Sequence, residues 1–360
     1  MRILIDAVPL LLRSAGVKTY LYNWARSMRA LEGQNKVELF PFLEIPETCD
    51  HERSAVGRVP TLARLALLHA ANHLPAPVLW PIGAVVDIFH ASHQLLYPPR
   101  NTQVTATLYD MTCWLAPETH AAANVAMSKE FAARVLTRAT GMIAISESTR
   151  LDAIRILGLR PERIEVIYPG VAEAFFEAKP ISRSKPYILF VGTIEPRKNI
   201  ALLLDAYQQL AASVRDEFDL VIAGPVGWGD TTVLDRLRAG SPGVHYLGYV
   251  PEQDLPGLTA GATVFVYPSL YEGFGLPLAQ AMAAGVPVIT SNISSLPEVG
   301  GDAALVIDPK SAADLAAALG RVLLSPALRK TMSAKGIARA SQYRWEACAR
   351  ASWRFFERLG

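Results

Sequence analysis

Cysteine is scarce in this 360-residue chain. Cys49, Cys113 and Cys348 are odd in number and far apart. That excludes a disulfide framework and a close-set zinc site, and it points to a reducing compartment. A long hydrophobic run is also missing. The most apolar region, "LARLALLHAANHLPAPVLWPIGAVV", is broken by His69, Asn72, His73, Pro75, Pro77 and Pro81. It does not supply the ~20 apolar residues of a bilayer span. The opening "MRILIDAVPLLL" carries Asp6 and reads as a first buried strand, not a secretory leader. Net charge is only +2, which argues against a dedicated nucleic-acid binder. The Gly-x-Gly-x-x-Gly fingerprint of dinucleotide oxidoreductases is absent. After the first strand comes "PLLLRSAGVKTY", with the single Gly16. One shortage is local: residues 53–86 hold Arg53, Arg58 and Arg64 but no acid. A basic, apolar stretch suits an anionic membrane surface. The plainer alternative is a core helix with a solvated face.

What is present is the composition of a globular chain, 51% hydrophobic and 19% charged, long enough for two domains. Apolar runs "RILIDAV", "VVDIFHA", "TATLYDM" and "GMIAIS" alternate with helix-like segments 17–31, 122–138 and 147–157. Strands written as continuous Val/Ile/Leu runs are buried on both faces, as in a parallel sheet flanked by helices. The stretch "AEAFFEAKPISRSKP" has two prolines and no period and reads as a linker. The pattern then restarts with "YILFVG", "DLVIAG", "VHYLGYV", "TVFVYPS" and "VPVIT". The expectation is α/β with two Rossmann-like domains, 1–172 and 187–342, joined by a linker at 173–186. A final amphipathic helix at 343–360 needs a surface to cover. Ligands of such sheets bind beyond the carboxyl ends of the strands, so the chemistry is expected there, between the domains.

Two stretches carry the chemistry. In "ILFVGTIEPRKNIALLLDAY" a strand ends at Gly192, a loop holds Arg197 and Lys198, and a helix starts near Asn199, read as its N-cap. Two cations beside a helix N-terminus suit a diphosphate. The structural alternative is a solvated, capped loop. In "PSLYEGFGLPLAQAMAAG" a strand delivers Glu272, whose carboxylate can accept from hydroxyls of a polyol. Gly273 and Gly275 flank Phe274 and let the backbone approach a ligand. Pro277 fits a first helical turn, leaving amides of Gly275 and Leu276 at a helix start. Gln280 follows two turns on; alone it is an exposed helix residue. Gly16 opens another helix, where a phosphate could approach, or simply marks a turn. Strand ends "FHAS" and "LYDM" bring up His90, Tyr109 and Asp110. Asp110 orients a sugar or acceptor, or caps a loop; His90 reads as structural. Ser146 and Ser148 read as helix caps, with Glu147 between them.

On these residues the chain resembles the retaining glycosyltransferases of the GT-B fold, family 4, in their bacterial mannosyltransferase-like branch. The carriers are "GTIEPRKN", "YEGFGLPLAQAMAAGVPVITSNISSLPEVGGDAALVIDP" and the "ISESTR…IEVIYPGV" stretch. The resemblance implies an acceptor-binding first domain and a nucleotide-sugar-binding second one, with the last helix crossing back to the first. It implies that Arg197 and Lys198 bind the donor diphosphate and that Glu272 contacts the transferred sugar. Phe274, Gly275 and Leu276 would meet sugar and phosphate through their backbone, Gly16 would face the phosphates, and Gly192 and Gly273 join the donor-binding set. Asp110 is counted with Glu272, Arg197 and Lys198 as catalytic. Two positions depart. Gln280 stands where the family has a second glutamate that holds the ribose. Tyr109 stands where many relatives carry histidine.

The implied activity is transfer of a hexose, mannose from GDP-mannose, to a lipid-linked or polysaccharide acceptor in cell-surface glycan synthesis. The implied setting is cytoplasmic, at the inner membrane face, with no metal and no cofactor besides the donor. Rival expectations are a UDP-sugar-dependent transferase, an epimerase or phosphorylase of the same fold, and a catalytically silent donor-binding subunit. No lysine motif for a pyridoxal cofactor is seen, and retention of Glu272, Arg197 and Lys198 argues against the silent subunit.

Overall fold

The computed structural model describes residues 1–12, 16–49, 53–73, 85–92, 95–229 and 231–360. It divides into one unit of Met1–Gly170 with Trp345–Gly360, and a second of Val171–Arg344. Each is α/β with a six-stranded sheet, as the alternating pattern predicts.

In the first unit the strands are β1 (Arg2–Asp6), β2 (Lys36–Phe40), β3 (Ile88–Ala91), β4 (Gln103–Leu108), β5 (Gly141–Ala144) and β6 (Ile164–Val166). Their order is β2-β1-β3-β4-β5-β6, and all pairs are parallel. Ile3, Leu4 and Ile5 are all buried, which is why β1 is an unbroken apolar run. The order reverses between β1 and β3, so the crevice of this sheet lies at their carboxyl ends.

The C-terminal helix Trp345–Glu357 is part of this unit. Trp345, Cys348, Ala349, Ser352, Trp353 and Phe356 recur at helical spacing and are buried. They cover the helix Gly16–Ala30. The Trp24 indole N–H donates to Ser352 Oγ at 2.9 Å, and the Trp353 indole N–H donates to the Met28 carbonyl at 3.2 Å. Room for this helix depends on glycine. A Cβ on Gly141 would sit 2.8 Å from Leu359 Cδ1, and one on Gly170 would sit 2.2 Å from the Trp345 nitrogen.

In the second unit the strands are β7 (Tyr187–Val191), β8 (Asp219–Ala223), β9 (Val244–Gly248), β10 (Val264–Tyr267), β11 (Val288–Ser291) and β12 (Ala304–Ile307). The order is β12-β11-β10-β7-β8-β9, a doubly wound sheet whose reversal falls between β7 and β10. Residues 173–186, expected as a linker, are packed onto this unit. Glu173 pairs with Arg344, and the Ile181 N–H donates to the Gly257 carbonyl at 3.0 Å. A Cβ on Gly257 would lie 2.8 Å from Ile181, so one side chain docks a stretch that has no helical or strand period.

Candidate functional site

The two sequence stretches singled out above leave neighbouring strands. Val264 and Phe265 of β10 pair with Ile188 and Leu189 of β7. The chain turns away from β7 through Pro196–Lys198 into the helix Ile200–Gln209. It leaves β10 through residues 268–275 into the helix Leu276–Ala283. The reversal of strand order therefore brings together residues that are 74 apart in sequence.

Glu272 is the centre of this meeting. Its Oε1 lies 2.6 Å from Lys198 Nζ and its Oε2 2.8 Å from Arg197 Nη1. Arg197 also reaches Glu195 Oε1 at 2.6 Å and the Tyr271 carbonyl at 2.7 Å. Lys198 donates to the Tyr267 hydroxyl at 2.7 Å. The backbone of Glu272 is pinned from the loop after β11. Its N–H donates to Ser294 Oγ at 3.0 Å, and Ser295 Oγ donates to its carbonyl at 2.9 Å. Ser269 Oγ is buried beside this carboxylate and helps to lower it.

The four charged groups are two acids and two bases, and Glu195, Lys198 and Glu272 are all buried. Burial pushes the Glu272 carboxyl up, but Arg197 and Lys198 beside it outweigh this and hold it at about 2. Burial and Arg197 lower Lys198, with Glu272 and Glu195 holding it up in part. Burial, reinforced by Glu272, raises the Tyr267 phenol well above its ordinary value, so it stays neutral. In such a dry setting fixed cations stabilise developing negative charge far better than they would in water.

The remaining candidates fall as follows. Gly192 donates its N–H to Ala223 at 2.9 Å and backs Lys198; a Cβ there would lie 3.8 Å from Lys198 Cε and 3.2 Å from the Phe190 ring. Gly275 has φ 94°, and a Cβ would come within 2.8 Å of Leu296 Cδ2. Two internal reasons thus require that glycine, independent of any ligand. The Phe274 ring is core, edge-on to Tyr343 at 5.3 Å between centroids. Gly273 is buried beside Glu272, and Leu276 is half-buried at the helix start. Gln280 is half-buried and takes no part in the ion-pair network.

Asn199 corrects the sequence reading. It stands at the N-cap position but at φ 58°, with no side-chain cap bond. Its amide instead donates to the Pro268 carbonyl at 3.1 Å and the Pro309 carbonyl at 2.8 Å, tying the loop after β10 to the loop after β12. Glu195, Tyr267, Ser294 and Ser295 were not anticipated as site residues.

Gly16 and Asp110 belong to the first unit. No atom within 4 Å would meet a Cβ on Gly16, so packing does not demand glycine there. Asp110 Oδ1 accepts from the Thr112 N–H at 3.0 Å and the Thr112 hydroxyl at 2.6 Å, which is the loop-capping role. His90 is buried between Thr105 and Thr107, at 2.8 and 2.7 Å. Burial lowers it to about 3, so it is neutral and locked. The Tyr109 hydroxyl is buried beside Thr107. Ser146 caps its helix by accepting from the Thr149 N–H at 3.0 Å, whereas Ser148 lies inside the helix Glu147–Leu157 and does not cap. Glu147 pairs with Arg150 at 2.8 Å. Among the described residues no group of three His, Cys, Asp or Glu could hold a metal ion, and no helix is long and apolar enough to cross a membrane.

Two doubly wound units, with cations and a carboxylate converging where the second sheet reverses, have the GT-B fold. Residues 171–339 match the family described as Glycosyl transferases group 1. The chain is 33% identical to the O-antigen chain mannosyltransferase B of Escherichia coli, over 89% of this chain and 88% of that protein. It belongs to the glycosyl transferases group 1 family. It is also 32% identical to the serotype-specific mannosyltransferase WbdA of Escherichia coli, over 62% of this chain but only 29% of that longer protein. Among solved structures, Anabaena Alr3699/HepE in complex with UDP superposes with a TM-score of 0.71 at 18% identity, covering 99% of each chain.

Proposed function

We propose that this glycosyltransferase moves mannose from GDP-mannose to a lipid-linked or polysaccharide acceptor in cell-surface glycan synthesis, with retention at the anomeric carbon. The observation that carries the proposal is the buried meeting of Arg197, Lys198 and Glu272 at the reversal of the second sheet. Mannose and the pathway are supported by the mannosyltransferase relatives, and GDP as its carrier by the family resemblance.

In the proposed reaction the acceptor hydroxyl oxygen forms a bond to the anomeric carbon on the face the leaving group departs from. The carbon–oxygen bond to the diphosphate breaks, and its electron pair stays on the phosphate oxygen, which takes the acceptor's proton. Arg197 and Lys198 stabilise that leaving charge. Glu272 orients sugar hydroxyls, with the Gly273–Leu276 backbone beside it. The cations serve the diphosphate, so no metal is assigned. In the first unit, Gly16 is assigned to the donor phosphates and Asp110 to the acceptor.

Contact with an anionic membrane is part of the proposal. The helix Arg58–His73 has no acid and leaves Val59 77% and Leu62 67% exposed. Residues 74–84 of the basic stretch 53–86 lie outside the described residues. Co-sedimentation with anionic vesicles at low salt is expected; its absence removes the membrane contact.

The test is a thermal-shift panel of GDP, UDP and their sugars on wild type and Arg197→Ala. GDP-mannose is expected to raise the Tm of wild type alone. A shift by UDP-sugars instead keeps the site and removes mannose. No shift by any nucleotide removes the donor reading, and a nucleotide shift without turnover by the purified chain leaves the silent donor-binding subunit.

A further inference from the structure

The nucleotide-sugar reading leaves one prominent feature of the second unit unused. The loop after β8, residues 224–229, holds Trp228 with half of its surface open to solvent, next to exposed Val226. It is held firmly. The Ile194 N–H donates to the Pro225 carbonyl at 2.9 Å, and the Gly227 N–H donates to the Ile194 carbonyl at 3.1 Å. These bonds continue the pairing of β7 with β8 beyond the strand ends.

Three glycines bring the loop close. A Cβ on Gly224 would meet the Gly192 carbonyl oxygen at 1.9 Å, one on Gly227 the Thr193 side chain at 2.6 Å, and one on Gly229 the Pro196 ring at 2.5 Å. Pro196 is the residue before Arg197. Trp228, between Gly227 and Gly229, is thus mounted against the turn that carries both cations.

The sheet sets the order of the parts. Glu272 follows β10, Arg197 and Lys198 follow β7, and Trp228 follows β8, and these strands are neighbours in that order. A nucleotide sugar has the same linear order: sugar, diphosphate, nucleoside. We infer that Trp228 is a stacking platform for the nucleobase of the donor. This rests on the donor reading above and adds a residue to it. Stacking on an indole tolerates any base, since every base has a π-face. Trp228 therefore sets affinity for a nucleoside, and choice among bases falls to other groups.

The experiment compares Trp228→Ala, Trp228→Phe and wild type by calorimetric binding of GDP, UDP and inorganic pyrophosphate. Trp228→Ala is expected to weaken both nucleotides about tenfold or more and to leave pyrophosphate unchanged. Trp228→Phe retains most of the nucleotide affinity. Nucleotide quenching of tryptophan fluorescence in wild type is lost in Trp228→Phe. Trp228→Ala binding nucleotides like wild type, or losing pyrophosphate equally, overturns the platform. Wild type that binds pyrophosphate but gains nothing from the nucleoside overturns it while leaving the anion site standing. Wild type that binds none of the three overturns the donor reading and the platform together.

Discussion

Lys198 Nζ and Glu272 Oε1 lie 2.6 Å apart, both buried, while the other carboxylate oxygen of Glu272 is taken by Arg197. The cations expected to grip a diphosphate are already neutralised by the chain's own acids, Glu195 and Glu272. An arriving diphosphate must therefore compete with a carboxylate for at least one of them.

Breaking the pair from one side strands a buried charge. Lys198→Met is expected to destabilise the fold by about 3–5 kcal/mol. Combining it with Glu272→Gln should cost much less than the sum of the single changes, because each removes the other's penalty. Urea unfolding of the four proteins measures this; strictly additive losses would show that the pair is not coupled.

Competition has a second readout. Glu272→Gln is expected to lower the Tm without nucleotide and yet to show a larger Tm rise with nucleoside diphosphate, since the displaced carboxylate no longer opposes it. Turnover should fall because the sugar hydroxyls exchange a charged acceptor for a neutral one. An unchanged nucleotide shift would mean that Glu272 does not compete with the diphosphate.

Acid should unfold the protein in two overlapping windows. His90 is lowered from 6.5 to about 3, so the unfolded chain takes up its proton first and stability falls as pH drops below 6.5. Glu272 is lowered from 4.5 to about 2, so its stabilisation is full above 4.5 and disappears as pH falls towards 2. The Glu272 shift corresponds to roughly 3 kcal/mol. Urea midpoints followed from pH 7 to pH 3 should lose less in Glu272→Gln than in wild type below pH 4.5. Parallel curves would remove the assignment.

Two glycines should separate fold from function. Gly275→Ala meets both a positive φ and Leu296, so a loss of about 1–3 kcal/mol is expected. At Gly16 a Cβ meets no atom within 4 Å, so Gly16→Val is expected to leave the Tm near wild type while lowering turnover. A Gly16→Val enzyme of full activity would remove Gly16 from the donor site.

Restoring the charge missing at position 280 tests that departure. Gln280→Glu replaces a neutral acceptor by a charged one, worth on the order of 1 kcal/mol. A nucleoside diphosphate should bind about fivefold more tightly, with pyrophosphate unchanged. Weaker nucleotide binding would show that the amide is the better partner here.

Most strands were legible because their core-facing residues form apolar runs, whereas β2, β6 and β12 were not read as strands and β9 is only half-buried. The order of the strands was not legible, since pairing joins β7 to β10 across most of the second unit. Arg197, Lys198 and Glu272 could be picked out by residue type and neighbouring glycine. Glu195 and Tyr267 could not. One reads as a lone loop acid and the other as strand core, and only their packing turns them towards Arg197 and Lys198. Asn199 misled because a left-handed backbone is invisible in composition, and it moves the amide from the helix to the loops. Trp228 carried no motif. Its meaning comes from the glycines that set its loop against Pro196.

The helix Trp345–Glu357 completes a unit whose other residues end at Gly170. During synthesis the chain must therefore make the whole second unit before the first can close. Until residues 345–357 leave the ribosome, Trp24 and Met28 lack the surface that covers them. Of the two units, the one translated earlier is the one finished later, and in that interval its unfilled apolar surface is exposed to aggregation.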